Sequence, residues 1–210
     1  SKSAVDRPWN RSFLGYSMTF HKKPRLKVAA ASVKRHKARL KGILRRGRGR
    51  NLTKVIEELT PVMRGWINYY RFAEVKGVFE GLDQWIRRKL RCIHWRQWKR
   101  PWTRVKRMMQ GGLREAHAHC SAYNGRGPWW NAGASHMNLA CPTSYFSKAG
   151  LFSYMDQFHR FQHFVNRRVG TVRTVVWEDG EGNLASYPIW CARHGARRES
   201  AIRLDVVSNR

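Results

Sequence analysis

The sequence predicts a mainly α-helical fold: a three-helix bundle, preceded by one short β-strand and followed by an irregular C-terminal extension with room for a β-hairpin. Three observations carry that reading. Apolar side chains recur at helical spacing through residues 52–98, bulky β-favouring residues gather in residues 12–20, and Gly, Pro and Asn crowd residues 123–142.

In chain order, Ser12–Phe20 sets Phe13, Leu14, Tyr16, Met18 and Phe20 around one glycine, and Pro24 ends the strand. With no partner strand predicted, this segment should be sticky or disordered. A helix from Ser32 carries Val33, Lys37, Leu40 and Leu44 along one side, and Gly47-Arg48-Gly49-Arg50 follows as a flexible basic connector. Asn51 or Thr53 then caps a short helix bearing Leu52, Val55, Ile56 and Leu59. Thr60-Pro61 looks like a second start, N-cap followed by Pro at N1, for a helix with Val62, Met63, Trp66, Ile67 and Tyr70 inward. A third helix, about Val78–Trp98, turns Phe79, Leu82, Trp85, Ile86, Leu90 and Ile93 inward and Arg87, Arg88, Lys89, Arg91 and Arg96 outward. A short basic helix through Trp102, Val105 and Met109 runs to Gly111-Gly112. Residues 123–142 read as irregular, a helix resumes near Thr143–Gly150, and residues 171–177 and 184–190 form a hairpin about Glu178–Asn183.

Charge narrows the function. The 210 residues hold 42 Lys or Arg against 13 Asp or Glu, a net charge of +29. Residues 21–50 carry thirteen cations and residues 84–107 carry ten, with no acid in either block, around a nearly neutral segment. Such an excess calls for a polyanion, most often nucleic acid, whereas an acidic small-molecule substrate would not need it. At 42% hydrophobic and 12% aromatic the chain is too apolar for a disordered basic tail. No apolar run approaches the roughly 20 residues that span a bilayer, so no membrane partner is expected. The opening Ser-Lys-Ser-Ala-Val-Asp lacks the apolar core of a signal peptide, and the four scattered cysteines, with no C-x-x-C pair, fit a reducing compartment.

Chemistry finds little support. Two-metal nucleotidyl transfer needs converging carboxylates, yet there is no Asp-Asp pair, and Glu178-Asp179 is more simply a turn. Phosphate-loop and nucleophile-elbow motifs are absent from the sequence. His117, His119, Cys120, His136 and Cys141 combine imidazole and thiolate but match no standard zinc spacing, so zinc is not expected. Were they to converge, a DNA-binding or H-N-H-like endonuclease segment would be the alternative reading, with Asn124 or Asn138 as a further member. Trp95, Trp98 and Trp102 recur among Arg96, Lys99, Arg100 and Arg104, the pairing on which unpaired bases stack while phosphates meet cations. Trp98 and Trp102 are the better candidates for that role, Trp95 the better core residue.

Four strings are recognisable: Phe13-Leu-Gly-Tyr16, Ser32-Val-Lys-Arg-His-Lys-Ala-Arg-Leu-Lys41, Leu59-Thr-Pro-Val-Met-Arg-Gly-Trp-Ile-Asn-Tyr-Tyr-Arg71 and Leu82-Asp-Gln-Trp-Ile-Arg-Arg-Lys-Leu-Arg91. Together, over residues 10–110, they resemble the C-terminal part of bacterial group II intron reverse transcriptases, the thumb or maturase-specific domain X. Asn124-Gly-Arg-Gly-Pro-Trp-Trp-Asn131 is similar to the C-terminal extension of some members. The resemblance implies a remnant of the palm's last strand at residues 1–23, a thumb-like domain at 24–110, an extension at 111–163 and an unassigned tail at 164–210. It also implies a bacterial cytoplasmic protein of a mobile element that binds group II intron RNA and assists its splicing. Further partners would be a DNA target and a palm domain supplied in trans. The family's fingers and palm, with their Y-x-D-D motif and its Mg²⁺, have no counterpart here, so reverse transcription by this chain alone is not expected, nor any cofactor.

On this reading Arg64, Arg71, Arg87, Arg88 and Arg91 contact RNA phosphates, and Lys34, Arg35, Lys37, Arg45, Arg46, Arg48 and Arg50 form a second electrostatic surface. Trp66, Tyr70, Leu82 and Trp85 hold the bundle together. A basic RNA-binding protein without intron specificity is the plainer possibility that charge alone leaves open.

Overall fold

A computed structural model describes residues 6–170, and its N-terminal compact unit ends at Gln162. The three principal helices are α1 (Ala30–Arg46), α2 (Leu52–Tyr69) and α3 (Gly77–Gln97). Shorter helices follow: α4 (Pro101–Gln110), α5 (Glu115–Ala122), α6 (Pro128–Asn131), α7 (Ser135–Ala140) and α8 (Thr143–Lys148). A longer α9 (Tyr154–Gly170) comes last. The fold is mainly helical as the periodicity predicts. The segment expected to be irregular contains α6 and α7, and α9 enters the tail left unassigned. The predicted hairpin at 171–190 lies outside the described residues. Among the described residues no helix is long and apolar enough to cross a membrane.

The N-terminal strand departs from expectation. Leu14 (φ 49°) and Gly15 (φ 80°) turn the chain, so β1 is only Tyr16–Met18, and it has a partner in β2 (Leu26–Val28). The two run antiparallel, with Tyr16 opposite Val28 and Met18 opposite Leu26. Their anchor is the end of α2. The Tyr16 hydroxyl donates to the Tyr69 carbonyl at 2.7 Å, and the Tyr69 hydroxyl donates to the Leu14 carbonyl at 2.9 Å. A side chain at residue 15 would strike the Tyr70 hydroxyl, which is why glycine stands there. The strand is therefore neither unpaired nor free.

Between α1 and α2 the expected flexible connector is an ordered 3-10 turn, Gly47–Gly49. Gly47 is buried, and a Cβ there would sit 2.7 Å from a Val55 methyl. Gln97 Nε2 donates to the Arg50 carbonyl at 2.8 Å and to that of Arg48 at 3.3 Å, pinning the turn to α3. Asn51 caps α2, its side chain accepting from the Thr53 N–H. No second helix starts at Thr60-Pro61. Instead Pro61 lies inside α2, and the Thr60 hydroxyl donates back to the Ile56 carbonyl at 2.8 Å. An interior proline costs about 3 kcal/mol. It is outweighed because Val55, Ile56, Leu59, Met63 and Ile67 form one unbroken buried stripe, which two helices meeting at an angle would interrupt.

One hydrophobic cluster runs from Val28 to Phe158, so the segment after residue 110 shares the bundle's core: Leu113, Ala118, Met137, Phe146 and Tyr154 join Leu40, Met63, Leu82 and Leu90. Of the four predicted bundle residues, Leu82 and Tyr70 are buried, while Trp66 and Trp85 are only partly so. Trp66 nevertheless stacks flat on His36, with ring centres 4.3 Å apart, and meets Tyr154 edge-on at 5.9 Å. His36 Nε2 is hydrogen-bonded to the Tyr154 hydroxyl at 2.6 Å.

Asp83, on α3 and buried, completes the junction. Its carboxylate accepts from the Tyr154 and Met155 N–H groups and the Ser153 hydroxyl, each at 3.1 Å. These are the unsatisfied donors that open α9, capped here by a residue seventy positions away instead of by the helix's own sequence.

Replacing Trp66 by alanine should lower stability by about 3 kcal/mol, since the indole contributes packing to four aromatic neighbours while only half-buried. Chemical denaturation checks this, and an unshifted midpoint would sink it.

Stability should also depend on pH. Burial pushes the His36 imidazole down to about 4, with Arg39 adding repulsion, and His94 also falls to about 4, with Arg107 adding there. Unfolded histidine titrates near 6.5, so the unfolded chain takes up protons first as pH falls. Stability is thus complete above about 6.5 and is lost on descending towards 4, by roughly 3 kcal/mol per histidine. The Asp83 carboxyl, which burial raises against its backbone hydrogen bonds, opposes the trend at the acid end. The thermal midpoint should drop across this window, and His36→Gln should flatten the profile.

Candidate nucleic-acid interface

The predicted cations fall into three groups once placed. Lys34, Arg35, Arg45 and Arg48, on α1 and the turn after it, are exposed. Their helix must bury Leu40, Ile43 and Leu44, which leaves the ammonium and guanidinium groups only the opposite face. Arg64 on α2 and Arg71 just beyond it are exposed as well, Arg64 over the Phe152 ring at 5.8 Å and Arg71 over the exposed Phe72 ring at 4.7 Å. These six are open to a polyanion.

A second group is partly engaged. Lys37 and Arg87 are half-buried, Lys37 with its ammonium 5.9 Å from the Trp85 ring centre. Arg46 and Arg50 both bridge to Glu58, at 3.0 and 2.9 Å, and these two guanidinium groups hold its carboxyl below the usual range. Such exposed bridges are worth little in stability, and they leave the arginines' positive charge half-neutralised.

The third group faces inward. Arg91, expected on the RNA side, is buried. Its Nε donates to the Cys141 carbonyl at 2.9 Å, and its guanidinium lies over the Phe146 ring. The helical phase of α3 decides this, because Arg91 shares its side with the buried His94 and Trp95, three and four residues on, and the Cys141 carbonyl takes its donor there. Arg88 is half-buried, its Nε and Nη2 donating to the Trp129 carbonyl at 3.3 and 3.1 Å and its guanidinium 4.1 Å from the Trp129 ring centre. It positions α6 rather than standing free.

Of the tryptophans, Trp95 is buried and Trp98 is half-buried, stacked on His94 while its carbonyl accepts from Arg104 Nε at 2.9 Å. Trp102 is 64% exposed, so it alone of the three offers a full ring face to a base. Sequence reasoning passed over Tyr123, Trp129 and Trp130, all exposed, with the Arg126 guanidinium 4.2 Å from the Trp130 ring centre. The Trp-Trp pair beside Arg126 in residues 126–130 was the available signal. Their loop is rigid: Asn131 is fully buried, its Nδ2 donating to the Arg126 and Gly127 carbonyls and to Asn124 Oδ1.

The His/Cys set does not assemble. Among the described residues no group of three His, Cys, Asp or Glu is placed to hold a metal ion. His117, His119 and Cys120 lie on α5, where His119 stacks parallel to Tyr123. His136 is buried on α7 beside Trp95, and burial pushes the Cys141 thiol up to about 11, far from a metal-binding thiolate. Asn124 is spent on Asn131.

The fold is thus a basic three-helix domain with exposed cations on α1, α2 and the turns beside them, and an inward polar network. Residues 33–112 match the family described as group II intron, maturase-specific domain. No curated protein matches the chain. The matched segment spans α1 to α4, while α5–α9 lie beyond it.

If Arg88 holds α6 rather than RNA, Arg88→Lys should loosen residues 128–131 because a lysine cannot donate twice to the Trp129 carbonyl. Hydrogen exchange should speed up in that segment while the exchange of α2 stays unchanged.

Proposed function

We propose that this chain is an RNA-binding maturase segment, one that assists splicing of a group II intron in the bacterial cytoplasm by gripping the folded intron RNA. One observation supports this above the others: the maturase-specific domain match falls on helices that turn Lys34, Arg35, Arg45, Arg48, Arg64 and Arg71 outward with no acid paired to them among the described residues. Phosphate contacts from these residues position the RNA without reading its sequence. Exposed Trp102 adds a stacking surface for unpaired bases. The mechanism is one of binding: neutralised phosphates let helices of the intron approach each other, and the rigid bundle holds their relative placement. A palm domain in trans and a DNA target remain natural further partners on this reading, the first at the end of the sheet where Phe13, Leu14 and Phe20 are exposed.

Titrating the full chain against a structured group II intron RNA, a length-matched unrelated RNA and duplex DNA tests this. Preference for intron RNA should persist at a few hundred millimolar salt, on top of a steep electrostatic dependence of about 0.7 to 0.9 in log–log slope per phosphate contacted. Equal binding to all three that vanishes with salt would refute the intron-specific role.

A further inference from the structure

Between α1, α3 and α6 lies a cavity of about 130 Å³. Lys41, Arg45 and Arg48 line one side, Lys89 and Arg96 another, and the Trp129 indole closes it; no carboxylate is among its lining residues. None of the five cations has an ion pair among the described residues. That is an unusual concentration of like charge to hold around one space. Burial holds the Lys89 ammonium below the usual lysine value, and Lys41, Arg48 and Arg96 add to that against an opposing influence from Cys92.

The walls are fixed in place. Gln97 pins the carbonyls of Arg48 and Arg50 to α3. Glu58 engages Arg46 and Arg50, the neighbours of Arg45 and Arg48, and leaves those two uncompensated. On the far side Arg88 holds the Trp129 carbonyl, in a space that only Gly133 leaves open, because a Cβ there would sit 2.7 Å from the guanidinium carbon. Arg88 and Lys89 lie 4.1 and 4.3 Å from the Trp129 ring centre, so cations already crowd the indole. With both cations on it, the half-exposed indole serves as an apolar wall of the cavity rather than as a free platform for a base.

We propose that this cavity is a phosphate socket, filled by a single backbone phosphate when the chain is on RNA, and that Trp129, from the segment beyond the matched domain, completes it. The proposal rests on the RNA-binding reading and gives it a specific point of contact. Its volume takes a phosphate with a few waters and leaves no room for a whole nucleotide. Arg side chains offer forked donors to phosphate oxygens, and the half-buried Lys89 supplies a point charge to the lining. The diffuse surface charge on α1 and α2 then draws RNA in, while the socket sets its register.

The test uses the full chain and four variants: Lys41→Gln with Arg96→Gln, Trp129→Ala, Trp129→Phe, and Lys22→Gln with Lys23→Gln as a charge-matched control outside the cavity. The paired cavity variant should weaken intron RNA binding about tenfold and flatten the salt slope by about one phosphate's worth. Trp129→Ala should weaken it several-fold with no change in charge, and Trp129→Phe should restore most of the loss. The control should cost less than either. A thermal midpoint for each variant separates loss of binding from loss of fold. A second arm maps acylation of Lys89 by mass spectrometry. Protection by intron RNA and by millimolar inorganic phosphate alike supports the socket. Protection by inorganic phosphate alone, in a chain that binds the RNA, makes it a free-phosphate site and overturns the backbone assignment. Cavity variants that bind like the control, with Lys89 unprotected by either, overturn the socket while wild-type RNA binding stands. A wild-type chain that fails to hold intron RNA instead refutes the RNA-binding reading itself.

Discussion

The buried Asp83 carboxylate is the constraint around which the molecule is arranged. A charged group taken out of water costs several kcal/mol unless its lone pairs are used, and Asp83 uses them on three donors at the start of α9. That requirement fixes where α9 begins and brings Tyr154 against His36 and Trp66. Because α9 must return to α3, the chain between them folds over the bundle as α4–α8 and contributes to the same core. The matched domain and the segment after it therefore behave as one packing unit, although the match itself ends at residue 112.

The same economy governs the arginines of α3. Successive residues of a helix point about 100° apart, so Arg87 and Arg88 face different surroundings, while Arg91, one turn beyond Arg87 on nearly the same side, meets a different part of the C-terminal segment. Arg91 is drawn inward to the Cys141 carbonyl, Arg88 to that of Trp129, and Arg87 stays half-buried near Asp83. What looks in sequence like one basic edge is, in the fold, a set of cations that organise the C-terminal segment. The open charge resides instead on α1 and α2, where no later element needs a donor.

On the proposed reading this division gives the protein two kinds of polyanion contact. Long, exposed side chains such as Lys34 and Arg35 act at a distance, are screened by salt and tolerate many RNA geometries. The cations gathered around the cavity that Trp129 closes converge on one space from backbone that Gln97 and Arg88 pin, and so favour a particular geometry.

The sequence by itself determined the helical stripes, a cap at Asn51 or Thr53, the basic character and the family resemblance, because each is written in residues at short spacing. It also placed Leu82 and Tyr70 inside correctly. It misread Thr60-Pro61 as a boundary, since local helix punctuation says nothing of the continuous apolar stripe that overrides it. It missed the pairing of β1 with β2, the burial of Arg91 and His36, and the seat of Trp129. All four depend on which distant segment arrives beside them: Val28 for Tyr16, Cys141 for Arg91, Tyr154 for His36 and Arg88 for Trp129. Only the tertiary structure decides such meetings, because a buried polar group takes whatever partner the packing delivers, at whatever separation along the chain.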